Sequence, residues 1–277
     1  MVPSLIDLTR YPIDTETPAR DTLVRHTRTA LHREGCAVLP GFLTPEGLAA
    51  AVAEAERVAD RGHRSFNRTN PYFTAEDPAL PADHPRRAFF DRSNNFIPAD
   101  NFPIDGPLRR IWDHPAFDPL MRDCFGEEAF HRYADPLADV IVNMAEEGEG
   151  FPWHFDTNSF TVTLALQNAE SGGAFEYAPH IRAGGENFDA VRAVLDGRSD
   201  RVRTLDLQPG DLQLFRGRYS LHRVTPLAGR RPRFVAIYSY VEEPDMVASP
   251  ERCRQLYGRT LPVHHERAGR RRDGYLD

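Results

Sequence analysis

The stretch from residue 138 to residue 241 constrains the fold most. It holds ADVIVNMA (138–145), FTVTLALQ (160–167), GAFEYAP (173–179), RVRTLDLQ (201–208), DLQLFRG (211–217) and PRFVAIYSYV (232–241), each β-branched or aromatic and set off by Gly, Pro or Asn. Segments this short fit strands with at least one buried face. Many short strands in series leave open edges unless they pack as two facing sheets, so a double-sheet β core is expected. The chain ahead of it reads differently. Asp21 to Arg33 is amphipathic at helical spacing, and CAVLPGF (36–42) is a short apolar strand. Thr44 then offers an N-cap, Pro45 a first helical residue, and the alanine-rich run to about Asp60 a helix body. A further helical stretch covers about 106–125, with Pro115 and Pro119 breaking it, and a helical insertion is expected near 186–196. Residues 62–107 are rich in Pro, Asn and Phe without helical or strand periodicity, and read as a long covering loop, a lid. Helices first and strands after them place the chain in the α+β class, mainly β, with no internal repeat.

Charge and cysteine usage narrow the chemistry. The 277 residues carry 34 Lys plus Arg against 41 Asp plus Glu, a net charge of -7, and all 34 cations are arginines. A nucleic-acid partner is disfavoured, because counterion release needs a positive face. Without lysine, a Schiff base, a pyridoxal attachment or a P-loop lysine is impossible, and every basic anchor must be a planar guanidinium. Three cysteines, Cys36, Cys124 and Cys253, stand far apart with no CxxC pair, which fits a reducing cytoplasm. The first residues lack the apolar run of a secretory signal, and no stretch has the 18 or so apolar residues of a membrane span. The basic run AGRRRDG (268–274) reads as solvated surface.

The chemistry-bearing residues lie in FPWHFDTNSF and DLQLFRGRYSLHRVTPLAG. His154 and Asp156 stand two apart in an extended segment, so both side chains leave one face, with Cα atoms about 7 Å apart. His222 follows 66 residues after Asp156 on a second strand-like segment. Two imidazoles and one carboxylate on one face of a metal, with three positions open, are diagnostic of non-haem Fe(II) oxygenases. Arg231 and Arg233 come next, the latter opening RFVAIYSYV; an arginine entering the core there would pair with a buried carboxylate.

At these residues the sequence resembles the Fe(II)/2-oxoglutarate-dependent oxygenases. The matching stretches are HREGCAVLPGFLTPEGL, VNMAEEGEGFPWHFDTNSFTVTLALQNAESGGAFEY and PGDLQLFRGRYSLHRVTPLAGRRPRF. More narrowly, HFDTNSFTVTLALQ followed by GGAFEYAPHIR resembles the branch of free-amino-acid radical halogenases and their hydroxylating relatives. The resemblance implies a double-stranded β-helix, the jelly-roll or cupin-like core, flanked by N-terminal helices. It also implies a single oxygenase domain over 1–277: helical flank and lid to 130, jelly roll over 131–245, and a C-terminal extension from 246. Fe(II), 2-oxoglutarate and O2 are the implied cofactors. Halogenases of that branch carry Gly or Ala where this chain has Asp156, which frees a coordination site for halide. The carboxylate here implies hydroxylation of an unactivated C–H of a small polar substrate, a free amino acid or related metabolite; desaturation, cyclisation and epoxidation share the same oxidising step, and a non-catalytic jelly roll that binds a small ligand is the rival from another class.

On this reading His154, Asp156 and His222 are the metal ligands and catalytic centre. Arg233, with Arg231 as runner-up, takes the distal carboxylate of 2-oxoglutarate, and Asn143 either bonds the co-substrate or satisfies a strand edge. Arg92, in FFDRSNNF, is the candidate anchor for a substrate carboxylate; Phe151, Thr157, Ser239 and Tyr257 are candidate substrate contacts. Trp153, next to a ligand, should face away into core packing. The glutamates of EEGEG read as a solvated turn, and His264 and His265 are assigned no metal. A small-molecule partner is expected, no membrane and no nucleic acid, and a homodimer is left open.

Overall fold

In the computed structural model, residues 4–267 and 275 are described, except for the side chain of Asn94. The basic run at 268–274 lies outside the described residues. The chain opens with α1 (Pro18–Glu34), β1 (Cys36–Leu39) and α2 (Pro45–Arg57). Their boundaries follow local chemistry. Thr17 and Thr44 each accept a backbone N–H at the N-terminus of a helix that starts with proline, and Gly35 ends α1 at a φ of 66°, where a Cβ would be strained.

Next come β2 (His63–Thr69), β3 (Phe90–Ile97), α3 (Pro107–Trp112), α4 (Phe117–Phe125) and β4 (His131–Arg132). The expected lid over 62–107 is therefore corrected. Its two ends are strands that pair antiparallel and extend the main sheet, and only about residues 70–89 between them form the covering segment. Polar residues such as Arg68 and Asp91 hid the pattern, because an edge hairpin needs only one buried face. Pro115 separates α3 from α4 as expected. Pro119 does not break α4: it sits in the first turn, where its missing N–H costs no helical bond.

The core strands are β5 (Val140–Ala145), β6 (Phe151–His154), β7 (Phe160–Gln167), β8 (Ser171–Gly172), β9 (Phe175–Ala178), β10 (Arg203–Leu205), β11 (Leu212–Phe215), β12 (Leu221–Val224), β13 (Leu227–Ala228) and β14 (Arg233–Val241). Helix α5 (Phe188–Leu195) is the insertion between β9 and β10, and α6 (Pro250–Tyr257) and α7 (Pro262–Arg267) end the described chain. The larger sheet runs β1-β11-β7-β14-β5-β3-β2, with β4 also on β14; the smaller runs β10-β9-β12-β6; β8 and β13 form a separate ribbon. Every pairing is antiparallel, in the double-sheet core that the strand run implied and the jelly-roll arrangement that the resemblance implied.

Why the core strands read as unbroken apolar runs is clear from what covers them. On β5, Val140, Val142 and Met144 face α1 to α4, while Ile141, Asn143 and Ala145 face the space between the sheets. On β14, Phe234, Ala236, Tyr238 and Tyr240 pack on the helices, and Arg233, Val235, Ile237 and Ser239 point inward. Both faces are buried, so the period-2 signal is apolar on one side and mixed on the other. The helix side is dense with rings: Trp112 stacks on Tyr238 at 5.2 Å and 8°. The polar residues that alternate inward are the ones that build the site.

Candidate active site

His154 ends β6 and His222 lies on β12, directly opposite it in the register. Cross-strand neighbours in an antiparallel pair carry their side chains on the same face, and here the two imidazole centroids are 4.2 Å apart. Each ring is oriented by its own strand: His154 Nδ1 lies 2.7 Å from the Pro152 carbonyl and His222 Nδ1 2.9 Å from the Ser220 carbonyl. A carbonyl accepts a hydrogen bond from Nδ1–H, which fixes that tautomer and leaves the Nε2 lone pair free to coordinate a metal.

Asp156 completes the set from just beyond the strand end. Its Oδ1 is 3.3 Å from His222 Nε2 and 3.9 Å from His154 Nε2, and its Oδ2 accepts from Thr161 Oγ1 at 2.7 Å. The three donor groups lie within 4.8 Å of one another, a span that one ion fills. Gly217 makes the carboxylate's position possible. Its carbonyl accepts the Asp156 N–H, and a Cβ at residue 217 would stand 1.9 Å from Asp156 Oδ2. Burial opposes the Asp156 charge, but His222, His154 and the Thr161 hydroxyl outweigh it and hold the carboxyl well below its ordinary value. Burial, His222 and Arg92 press the His154 pKa down, so its ring is neutral and free to coordinate. Two imidazoles with tied Nδ1 atoms and one carboxylate fit Fe(II), with coordination positions left for further ligands.

The triad opens into a cavity of about 170 Å³ between the two sheets. Every substrate candidate from the sequence lines it: Arg92, Phe151, Thr157, Ser239 and Tyr257, with Asn143 and Arg233. Arg233 is 8% exposed, and no acid or carbonyl among the described residues takes its guanidinium; burial alone lowers its pKa to about 10. Asn143 donates to the Asn95 carbonyl at 3.3 Å while facing the cavity. Arg231 is corrected as runner-up. It lies in the turn before β14, exposed, and donates to the Ala169 carbonyl outside the cavity.

Trp153 faces the other way, into a cluster with Tyr72 and Phe155, under the Arg223 guanidinium at 4.7 Å. Glu146 and Glu149 are engaged by Arg64 on β2, not by the cavity. His264 lies on α7 rather than a strand, buried, with its Nε2 3.0 Å from Asp135. Sequence reasoning missed Arg252, Phe73 and Gly217. The first two reach the cavity through a distant helix and a turn with no periodic signal, and Gly217 has no side chain to attract attention.

The Halogenase D family profile matches residues 19–257. Among solved structures the fold is similar to the epimerase SnoN in complex with Fe3+, alpha-ketoglutarate and nogalamycin RO, at a TM-score of 0.55 and 17% identity over 80% of this chain and 84% of that one. AviO1 from Streptomyces viridochromogenes Tue57 aligns with a TM-score of 0.54 and 18% identity over 83% and 97% of the two chains. A prolyl hydroxylase from Trichoplax adhaerens aligns with a TM-score of 0.52 and 15% identity over 82% and 94%. No match is found among curated proteins. Family profile and triad together lead to one statement: the chain belongs to the Halogenase D family of Fe(II)/2-oxoglutarate oxygenases, and Fe(II), 2-oxoglutarate and O2 are its cofactors.

Proposed function

We propose that the enzyme hydroxylates an unactivated C–H bond of a small polar metabolite of the free-amino-acid kind. The observation that carries this is Asp156: its carboxylate is locked by Thr161 and Gly217 in the position that the resembling halogenases leave open for halide. Bound Fe(II), with 2-oxoglutarate and O2, supplies the oxidising power, and 2-oxoglutarate leaves as succinate and CO2.

The chain's own residues do the rest. His154, Asp156 and His222 hold the metal on one side and keep the remaining positions facing the cavity. Arg233 receives the distal carboxylate of 2-oxoglutarate, because its charge is buried without a counter-ion and a carboxylate satisfies both. Phe151, Ile141 and Ile237 wall the space and exclude water from the reacting carbon.

Product mass tests the reaction. Incubation with a panel of free amino acids under 18O2 is expected to give a product heavier by one labelled oxygen, in step with succinate. Loss of two hydrogens instead would assign desaturation or cyclisation, and a chlorinated product would overturn the role given to Asp156.

A further inference from the structure

A second cavity, of about 390 Å³, reaches Arg233 from the side away from the metal. Arg233 and Phe175 line both cavities, so these two side chains form the wall they share. The register sets the two ends apart. Ser239 pairs with Thr161, whose hydroxyl meets Asp156, and marks the metal end of β14. Arg233 starts that strand six residues away, about 20 Å at about 3.3 Å per residue.

The second cavity opens at this far end, among Ala165, Ala169, Gly172, Gly173 and Thr204, of which Gly172 and Thr204 are exposed. Small residues keep it clear. A Cβ at Gly173 would stand 3.4 Å from Arg233 Cδ, and Gly172 and Gly173 hold φ values of 70° and 69°, where a side chain brings strain.

Positive charge marks both its rim and its floor. At the rim, the exposed Arg231 donates Nη2 to the Ala169 carbonyl at 3.2 Å, which sets its guanidinium against the cavity wall. At the floor, Arg233 is buried with no counter-ion among the described residues. The acids on this side face outward: Glu170 Oε1 accepts the Arg230 N–H, and Asp206 is exposed. A carboxylate arriving from solvent meets Arg231 first and Arg233 next, because a buried cation gains most from an anion that reaches it.

We infer that the second cavity is a binding site for dicarboxylates, the way in for 2-oxoglutarate and the way out for succinate, with Arg231 at its mouth and Arg233 as its gate. The inference rests on the reading that Arg233 receives the distal carboxylate of 2-oxoglutarate. Guanidinium contacts with no described residue leave the Arg233 side chain free to turn aside and close behind the keto acid. Co-substrate exchange then continues while the substrate end of the first cavity is filled.

The test is anaerobic stopped-flow mixing of 2-oxoglutarate with the Fe(II) protein, followed by the visible charge-transfer band. Thr204 is exposed and lines the second cavity, while all three native cysteines are buried, so in Thr204→Cys a bulky maleimide reacts at the introduced thiol. Labelling is expected to slow both the rise of the band and its decay on dilution by about tenfold or more, with the equilibrium affinity held within about twofold, because an obstacle on the route changes rates and not end states. Arg231→Gln is expected to slow association about threefold to tenfold at low salt and to leave dissociation unchanged, and Arg231→Lys to keep the parent rate. Equal rates with and without the label would assign entry to the substrate end and overturn the inference, as would a label that weakens affinity without slowing association, or an Arg231→Gln protein that associates at the parent rate. Failure of the underlying reading shows separately, as an Arg233→Gln protein that binds 2-oxoglutarate with the parent's affinity.

Discussion

Around the metal ligands, single atoms decide geometry. Gly217 matters for its missing Cβ: Gly217→Ala places a methyl 1.9 Å from Asp156 Oδ2, and either the carboxylate or the backbone at 217 must move. Since partners that orient a ligand are worth about 10–100-fold in metal affinity, Gly217→Ala is expected to lose at least that much Fe(II) binding. Thr161→Val removes one hydrogen bond to the same oxygen without crowding it, and about a tenfold loss is expected. Titration with Fe(II) in the absence of oxygen checks both, and an unchanged affinity in Gly217→Ala would contradict the placement of Asp156. The convergence of the three candidate ligands was legible in the sequence because they are locally encoded. His154 and Asp156 are two residues apart beside a strand, and His222 follows on a segment of the same texture. That Arg233 would enter the cavity was legible from its place at the start of a strand; Arg231 lies outside it because Pro232 keeps it in the turn.

Elements bring those atoms together by alternation. Strand β14 pairs with both β5 and β7 and buries both faces, so its odd-numbered residues must serve the cavity once the even-numbered ones meet the helices. The helices are placed by specific polar contacts, and Glu54 of α2 is one. Its Oε2 accepts the Leu108 N–H at the start of α3, and the side chain is fully buried. Burial raises its pKa despite that hydrogen bond and the nearby Arg57 and Arg109. A carboxyl raised in the folded state favours the protonated form. It is therefore least costly to stability below the ordinary carboxylate range, and the cost grows as pH rises through the folded value. Glu54→Gln keeps an acceptor for Leu108 and removes the charge. Thermal unfolding is expected to show the variant gaining on the parent from pH 5 to pH 8; a difference independent of pH would contradict this. The β2 and β3 pair was invisible to periodicity for the opposite reason to the core strands: at the sheet edge the hairpin is polar on one face, and the turn that aims Phe73 depends on Asn70 and on Arg86 sixteen residues later.

At the scale of the molecule, the C-terminal extension completes the cavity. Helix α6 brings Arg252, Leu256 and Tyr257 to it, although they lie a hundred residues from the metal motif. The extension is fastened by the buried Asp135, which accepts from the backbone of Leu137 and the half-buried Ala248 and meets the buried His264 Nε2 and Cys253 Sγ. Asp135→Ala leaves several buried donors without an acceptor and is expected to cost about 3 kcal/mol or more. Because the loss falls on the segment that carries α6, substrate affinity should drop more than 2-oxoglutarate affinity, which calorimetry on the variant measures. Equal losses would place the extension outside substrate binding. No sequence pattern joins Asp135 to His264, so this closure could not be read from spacing, and Arg252 went unnoticed with it. Among the described residues no helix is long and apolar enough to cross a membrane.

The central claim is that His154, Asp156 and His222 hold one ferrous ion and leave room beside it for the keto acid. Anaerobic spectroscopy reads it directly. Protein, Fe(II) and 2-oxoglutarate together should give a weak visible charge-transfer band saturating at one equivalent of iron, and His222→Ala should abolish it. A parent protein that yields no band with its ligands intact, or a His222→Ala protein that keeps it, would contradict the account.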